Sequence, residues 1–222
     1  MWKELTNIWN ANDLSRQAWD QSYEMLNLSR DIFSKAIVYL REAQDIETLK
    51  KLKKKDKEIN EFQQEVRRKV LTHYSLQSEK VDLANGLILI NTVVDIERIG
   101  DYCKNILDLA INHSEQIISE EISKDLTEIE DEVKSRFEKT CEAITNQDSN
   151  IAKIMMVDYR EQLAEKSDKI VNDVLNGELD FGSASKTAAV ALYARYLKRI
   201  GAHLKNITTT LVNPFDSIGY KK

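Results

Sequence analysis

Apolar residues recur at three- and four-residue steps along most of the chain, the period of amphipathic helices. Leu14, Ala18, Met25, Leu28, Ile32, Ala36 and Tyr39 mark a first helix that Asp13 can cap and that runs to about Ala43. Leu49, Leu52, Ile59, Val66 and Val70 mark a second, from about Ile46 to Tyr74. The third and most apolar spans about Glu79 to Ile118. Ser119, followed by acids that suit the positive end of a helix dipole, opens a fourth that runs to about Asn146. The fifth covers about Asp148 to Leu175 and stops at Asn176 and Gly177, and the sixth covers about Ser183 to Val212 and stops at Asn213 and Pro214.

The six segments fall into two halves. Residues 98 to 107 read RIGDYCKNIL and residues 199 to 208 read RIGAHLKNIT, which agree at six of ten positions with a spacing of 101. The match lies inside the third helix of each half. Internal repetition of sequence implies repetition of the supersecondary block. The fold class expected is therefore all-α, with six long helices in two pseudo-symmetric antiparallel three-helix bundles, residues 1–118 and 119–222.

Composition agrees with long helices. Six glycines and one proline in 222 residues are too few for many short strands joined by tight turns. Acidic residues outnumber basic ones 37 to 32, and the net charge of -5 argues against general nucleic-acid binding. Two cysteines, Cys103 and Cys141, make a poor disulfide framework, and the N-terminus MWKELTNIW lacks the plan of a signal peptide, so a reducing cytoplasm is expected. Even the most apolar stretch, Leu83 to Ile96, carries Asn85, Asn91 and Asp95 and does not suit a membrane span.

Chemistry is expected where polar residues interrupt the stripes. On the third helix Leu83, Leu87, Ile90 and Val94 lead into Glu97 and Asp101, one turn apart on one face. On the second, Asp56 breaks the stripe Leu49, Leu52, Ile59, Gln63, Val66, and Asn60 follows one turn later. If the two helices pack antiparallel in level register, Asp56, Asn60, Glu97 and Asp101 face one another. Clustered carboxylates need a cation, a shared proton or water, and three acids with an amide suit iron, Mn, Mg or Ca better than zinc. The alternative is a set of boundary acids partnered by Arg98 or Lys104.

Other features carry less. No Glu-x-x-His pair, P-loop, G-x-S-x-G or dinucleotide fingerprint occurs. His73, His113 and His203 read as helix-end or surface residues. The run KKLKKKDK at Lys50 to Lys57 reads as a solvated face, though it could meet phosphate or anionic lipid. Asp158, Glu161, Glu165 and Asp168 lie off the stripe Met156, Leu163, Ile170, Val174, with solvent as their expected partner.

DIERIGDYCKNI at Asp95 to Ile106, RYLKRIGAHLKNI at Arg195 to Ile207 and KKDKEIN at Lys54 to Asn60 resemble the phosphate-uptake-regulator (PhoU) family over nearly the whole chain. The resemblance implies two pseudo-symmetric three-helix bundles and a role in phosphate homeostasis. It further implies restraint of uptake through a membrane phosphate transporter and its sensor histidine kinase, often as a homodimer, from the cytoplasm or peripherally at the inner face of the membrane. The family's metal motif falls on Glu97 and Asp101, with Asp56 and Asn60 as its helix-two counterpart. A metal-dependent phosphohydrolase using these carboxylates and a metal-free structural adaptor are the alternatives; no general acid or base is assigned beside the acids, so no enzyme is expected.

The second half departs from the motif. Lys198 stands for Glu97 and Ala202 for Asp101, while Arg160 stands for Asp56 and Ala164 for Asn60. A metal is not expected there. Arg160 and Lys198 either reach outward to nearby acids or converge as an anion site.

Overall fold

The protein is described by a computed structural model covering residues 14–42, 45–76, 83–113 and 117–220. Its first half consists of α1 (Leu14–Arg41), α2 (Ile46–Lys53), α3 (Asp56–Leu76) and α4 (Leu83–Asn112). The second consists of α5 (Glu120–Asn146), α6 (Ser149–Tyr159), a π-helical turn (Arg160–Ala164), α7 (Glu165–Leu175) and α8 (Ala184–Thr209). Two all-α bundles of three long helical rods result. In the first, α1, α3 and α4 pack on one another; in the second, α5, the α6–α7 rod and α8 do; α4 against α8 joins them. One apolar core runs through both, from Phe33, Val93 and Ile106 to Phe137, Leu163 and Leu204.

The expected second helix is broken at Lys54 and Lys55, where Lys55 N–H donates to Leu52 O and Glu58 N–H to Lys55 O. Lysines at 50 and 54, and at 51 and 55, would stand one above the other in a continuous helix, and like charges at that spacing oppose it. The fifth helix is unbroken from Ser149 to Leu175, but the π turn inserts one extra residue into it. The third stops at Asn112 rather than near 118: Ile117 and Ile118 lie beyond it in non-helical backbone and plug the core where the chain crosses between repeats. Asp13, Ala43 and Glu79, expected at helix boundaries, lie outside the described residues.

Local sequence explains the remaining ends. Asp45, Asp148 and Ser183 cap α2, α6 and α8 with side-chain oxygens, satisfying amides that the first turn leaves free. Gly177, at φ 76°, closes α7 in a left-handed conformation that costs glycine little.

In α4 the core face is Leu89, Val93, Ile96, Ile99, Cys103 and Ile106, whereas Leu83 and Leu87 are exposed. The stripe that leads into Glu97 and Asp101 is thus the edge of the helix and not its core side. His73, in the last turn of α3 and buried edge-on against Tyr74, and His113, half-buried just past α4, are helix-end residues as expected, whereas His203 differs: it is buried in mid-helix at the repeat interface.

Candidate functional site

The first repeat brings its expected polar residues together at the start of α3. Gly100 allows the approach: a Cβ there would come within 2.8 Å of Ile59 Cδ1 and 3.5 Å of Asp56 Oδ1. Into the same place α4 extends Lys104, whose Nζ donates to Asp56 Oδ2 and to Asp101 Oδ1, each at 2.9 Å. Asn60 Nδ2 donates to Asp56 Oδ2 at 3.3 Å, and Arg98 Nη1 to Asp101 Oδ2 at 3.3 Å. Among the described residues Glu97 pairs only with Arg98 Nε, at 3.7 Å. Asp56 Oδ1 is buried with no hydrogen-bond partner among the described residues.

The charges explain each other. Burial pushes the Glu97 carboxyl above its ordinary value, and the Asp101 charge adds to that; Arg98 opposes it. Burial alone would lower the Lys104 ammonium, but its hydrogen bonds to Asp101 and Asp56 outweigh this and push it up to about 12.

This donor set does not fit a resident ion as arranged. Lys104 fills the cation position between Asp56 and Asp101, and among the described residues no three of His, Cys, Asp and Glu group closely enough to hold a metal. Iron, manganese, magnesium or calcium would have to displace that ammonium before the four side chains could act as ligands.

The second repeat keeps the glycine contact and changes its surroundings. A Cβ on Gly201 would lie 1.9 Å from Leu163 Cδ2 and 3.6 Å from Tyr159 Cε2, so Leu163 matches Ile59. A regular helix would place Arg160, three residues before Leu163, where Asp56 stands three before Ile59. The extra residue of the π turn puts Tyr159 there instead and turns Arg160 out to solvent, where its Nε donates to Glu165 Oε1 at 2.9 Å. Lys198 Nζ donates to Asp168 Oδ1 at 2.6 Å, with Arg195 at 3.8 Å from the same carboxylate. Arg160 and Lys198 are therefore not brought together. Asp168 and Glu165 meet cations, where solvent was the expected partner.

Three groups escaped the sequence reading. Asp95 and His203 meet across the repeat interface, Nδ1 to Oδ1 at 2.6 Å, and Asn206 Nδ2 donates to the same oxygen at 3.2 Å. Glu130, buried in α5, accepts from Tyr193 Oη at 2.6 Å and pairs with Arg41 Nε at 3.0 Å. Arg136 and Lys205 both approach the Tyr159 ring, at 5.5 and 5.2 Å from its centroid. The spacing of 101 that pairs Lys104 with Lys205 was a usable signal for the last of these.

Two separate stretches, residues 23–110 and 126–211, match the PhoU domain. The chain belongs to the PhoU family. The two PhoU matches cover α1 to α4 and α5 to α8, each with its glycine at a helix crossing. A relative from Clostridium acetobutylicum, the phosphate-specific transport system accessory protein PhoU homolog, is 27% identical over 175 residues, covering 77% of this chain and 78% of that one. The crystal structure of PhoU from Pseudomonas aeruginosa superposes with a TM-score of 0.81 at 18% identity, covering 91% of this chain and 97% of that one. That of the phosphate transport system regulatory protein PhoU from Streptococcus pneumoniae does so with 0.77 at 19%, covering 89% and 93%. No described helix is long and apolar enough to cross a membrane.

Proposed function

We propose that this protein is a non-enzymatic cytosolic regulator of phosphate uptake, acting as a homodimer by contact with a membrane phosphate transporter and its sensor histidine kinase. The observation that carries the reading is the pair of PhoU domains across the chain, in a protein related to an accessory protein of phosphate-specific transport. The chemistry beside the first-repeat acids supports a regulatory role over turnover. Cys103 is buried and its thiol is pushed well up by burial and by the Asp56 charge, so it is a poor nucleophile. Lys104 is held protonated by two carboxylates and is a poor general base. No step in this reading passes through a metal ion.

Phosphate uptake in cells lacking this chain is the test. Deletion is expected to release uptake from restraint, and the wild-type chain supplied in trans restores it. Uptake and kinase output that ignore the deletion would overturn the reading. Phosphomonoester turnover with added Mn or Mg, lost in Asp101→Ala, would replace it with the hydrolase.

A further inference from the structure

Lys104 and Lys205 stand at the same position of the two repeats, 101 residues apart, and their surroundings differ in one respect. Lys104 has two carboxylates. Lys205 has none among the described residues: Ala202 stands where Asp101 would be, and Tyr159 occupies the place of Asp56. Its Nζ meets only the Tyr159 ring, at 5.2 Å from the centroid.

Arg136 approaches the same ring from α5. It is 1% exposed, its Nη1 donates to Met155 O at 2.9 Å, and its Nε stands 2.7 Å from Glu132 Oε1. That Nε is buried, and the approach to Glu132 is not aligned as a hydrogen bond. Two cations therefore approach one ring, and of the two only Arg136 has a carboxylate, Glu132, beside it among the described residues. A ring face attracts a cation less strongly than a charge-assisted hydrogen bond does. Burial, and after it the Arg136 charge, lower the Lys205 ammonium from its ordinary value, the direction expected where positive charge lacks its counterpart.

We propose that Lys205 and Arg136, beside Tyr159, form an anion site of the second repeat that takes a free tetrahedral oxyanion, phosphate, in the position the Asp101 carboxylate fills in the first. Ala202 puts a methyl group where a carboxylate stands in the first repeat, and the half-buried setting of Lys205 suits a small ion over a chain of charges. A phosphate oxygen accepts from the ammonium while another faces the guanidinium, a pairing that tetrahedral geometry permits. Arg160 and Lys198, already neutralised by Glu165 and Asp168, take no part. The inference gives the regulatory reading a direct ligand and rests on that reading only for the choice of phosphate; failure to bind in vitro would leave the uptake test standing.

Calorimetric titration of the full chain with inorganic phosphate, in chloride buffer, decides the matter. One site per chain is expected, weakened by about ten-fold or more in Lys205→Gln, the loss of one charge-assisted hydrogen bond. Ala202→Asp should have the same effect while folding normally, because it supplies from within the i,i+3 partner that Asp101 gives Lys104. Arg160→Ala should bind as wild type does. No binding by the wild-type chain, or unchanged affinity in either Lys205→Gln or Ala202→Asp, would overturn the assignment.

Discussion

His203 Nδ1 lies 2.6 Å from Asp95 Oδ1 and joins the last helix of the second repeat to the last helix of the first. Asn206 donates to the same oxygen, and Tyr102 stacks on the imidazole with centroids 5.8 Å apart. All four side chains are buried or half-buried, so the carboxylate has no ready substitute in water. Asp95→Ala is expected to lower the urea-unfolding free energy by about 1–3 kcal/mol, since it strands a buried imidazole and amide. Asp168→Ala, which removes a more exposed partner of Lys198, should cost less than about 1 kcal/mol. Equal losses would mean that the interface pair holds the repeats together no more than a surface pair does.

Gly201 and Gly100 make a second, graded prediction. A Cβ at 201 would meet Leu163 Cδ2 at 1.9 Å, and Leu163 is fully buried and has little room to yield. At 100 the nearest atom is Ile59 Cδ1 at 2.8 Å. Gly201→Ala should destabilise by about 1–3 kcal/mol, and by more than Gly100→Ala, even after the helix propensity that alanine adds. Thermal unfolding of Gly201→Ala combined with Leu163→Ala should show less than additive loss, because the second change removes the clash.

What the sequence disclosed, and what it did not, follows from the same residues. The 101-residue match around Gly100 and Gly201 revealed the duplicated bundle, because both glycines stand at a close helix crossing where a Cβ would press on the facing helix. The polar break at Asp56 was legible as well, since the stripe on either side of it is buried. The stripe Leu83, Leu87, Ile90, Val94 misled, because α4 packs on its own repeat and on α8 and so is apolar on more than one face. Periodicity cannot rank such faces. The π turn had no signal: it changes which residue points at Gly201 without changing any residue type. A spacing of 104 therefore pointed to Arg160 as the counterpart of Asp56, where the structure has Tyr159.

Glu97 predicts a pH-dependent difference. Its carboxyl is held above the ordinary 4.5, by burial first and by Asp101 next, so the folded chain binds its proton more tightly than the unfolded one does. Neutral Glu97 is stabilising below that ordinary value, and the contribution is lost as pH rises through the raised folded value. Glu97→Gln should therefore be at least as stable as wild type at pH 7, with its relative advantage shrinking as pH falls toward 4. Urea unfolding at both pH values checks the sign. An advantage that grows on acidification would mean that Glu97 is stabilised by Arg98 more than it is penalised by burial.

Lys104 joins stability to the question of a metal. Its ammonium is held up to about 12 by Asp101 and Asp56 against the opposing effect of burial, so its contribution is full below the ordinary 10.5 and is lost as pH rises through about 12. Lys104→Met should cost about 1–2 kcal/mol at pH 7, because Asp56 and Asp101 then face Glu97 with only the more exposed Arg98 to balance them. The same substitution vacates the cation position between the Asp56 and Asp101 carboxylates and leaves those two acids with the Asn60 amide beside them, oxygen donors that suit manganese or magnesium. Added Mn should then raise the melting temperature of Lys104→Met and leave that of wild type nearly unchanged, as binding to the folded state alone requires. Equal shifts in both proteins would show that an ion readily displaces the ammonium, and a shift in neither would show that these side chains make no cation site even when it is removed.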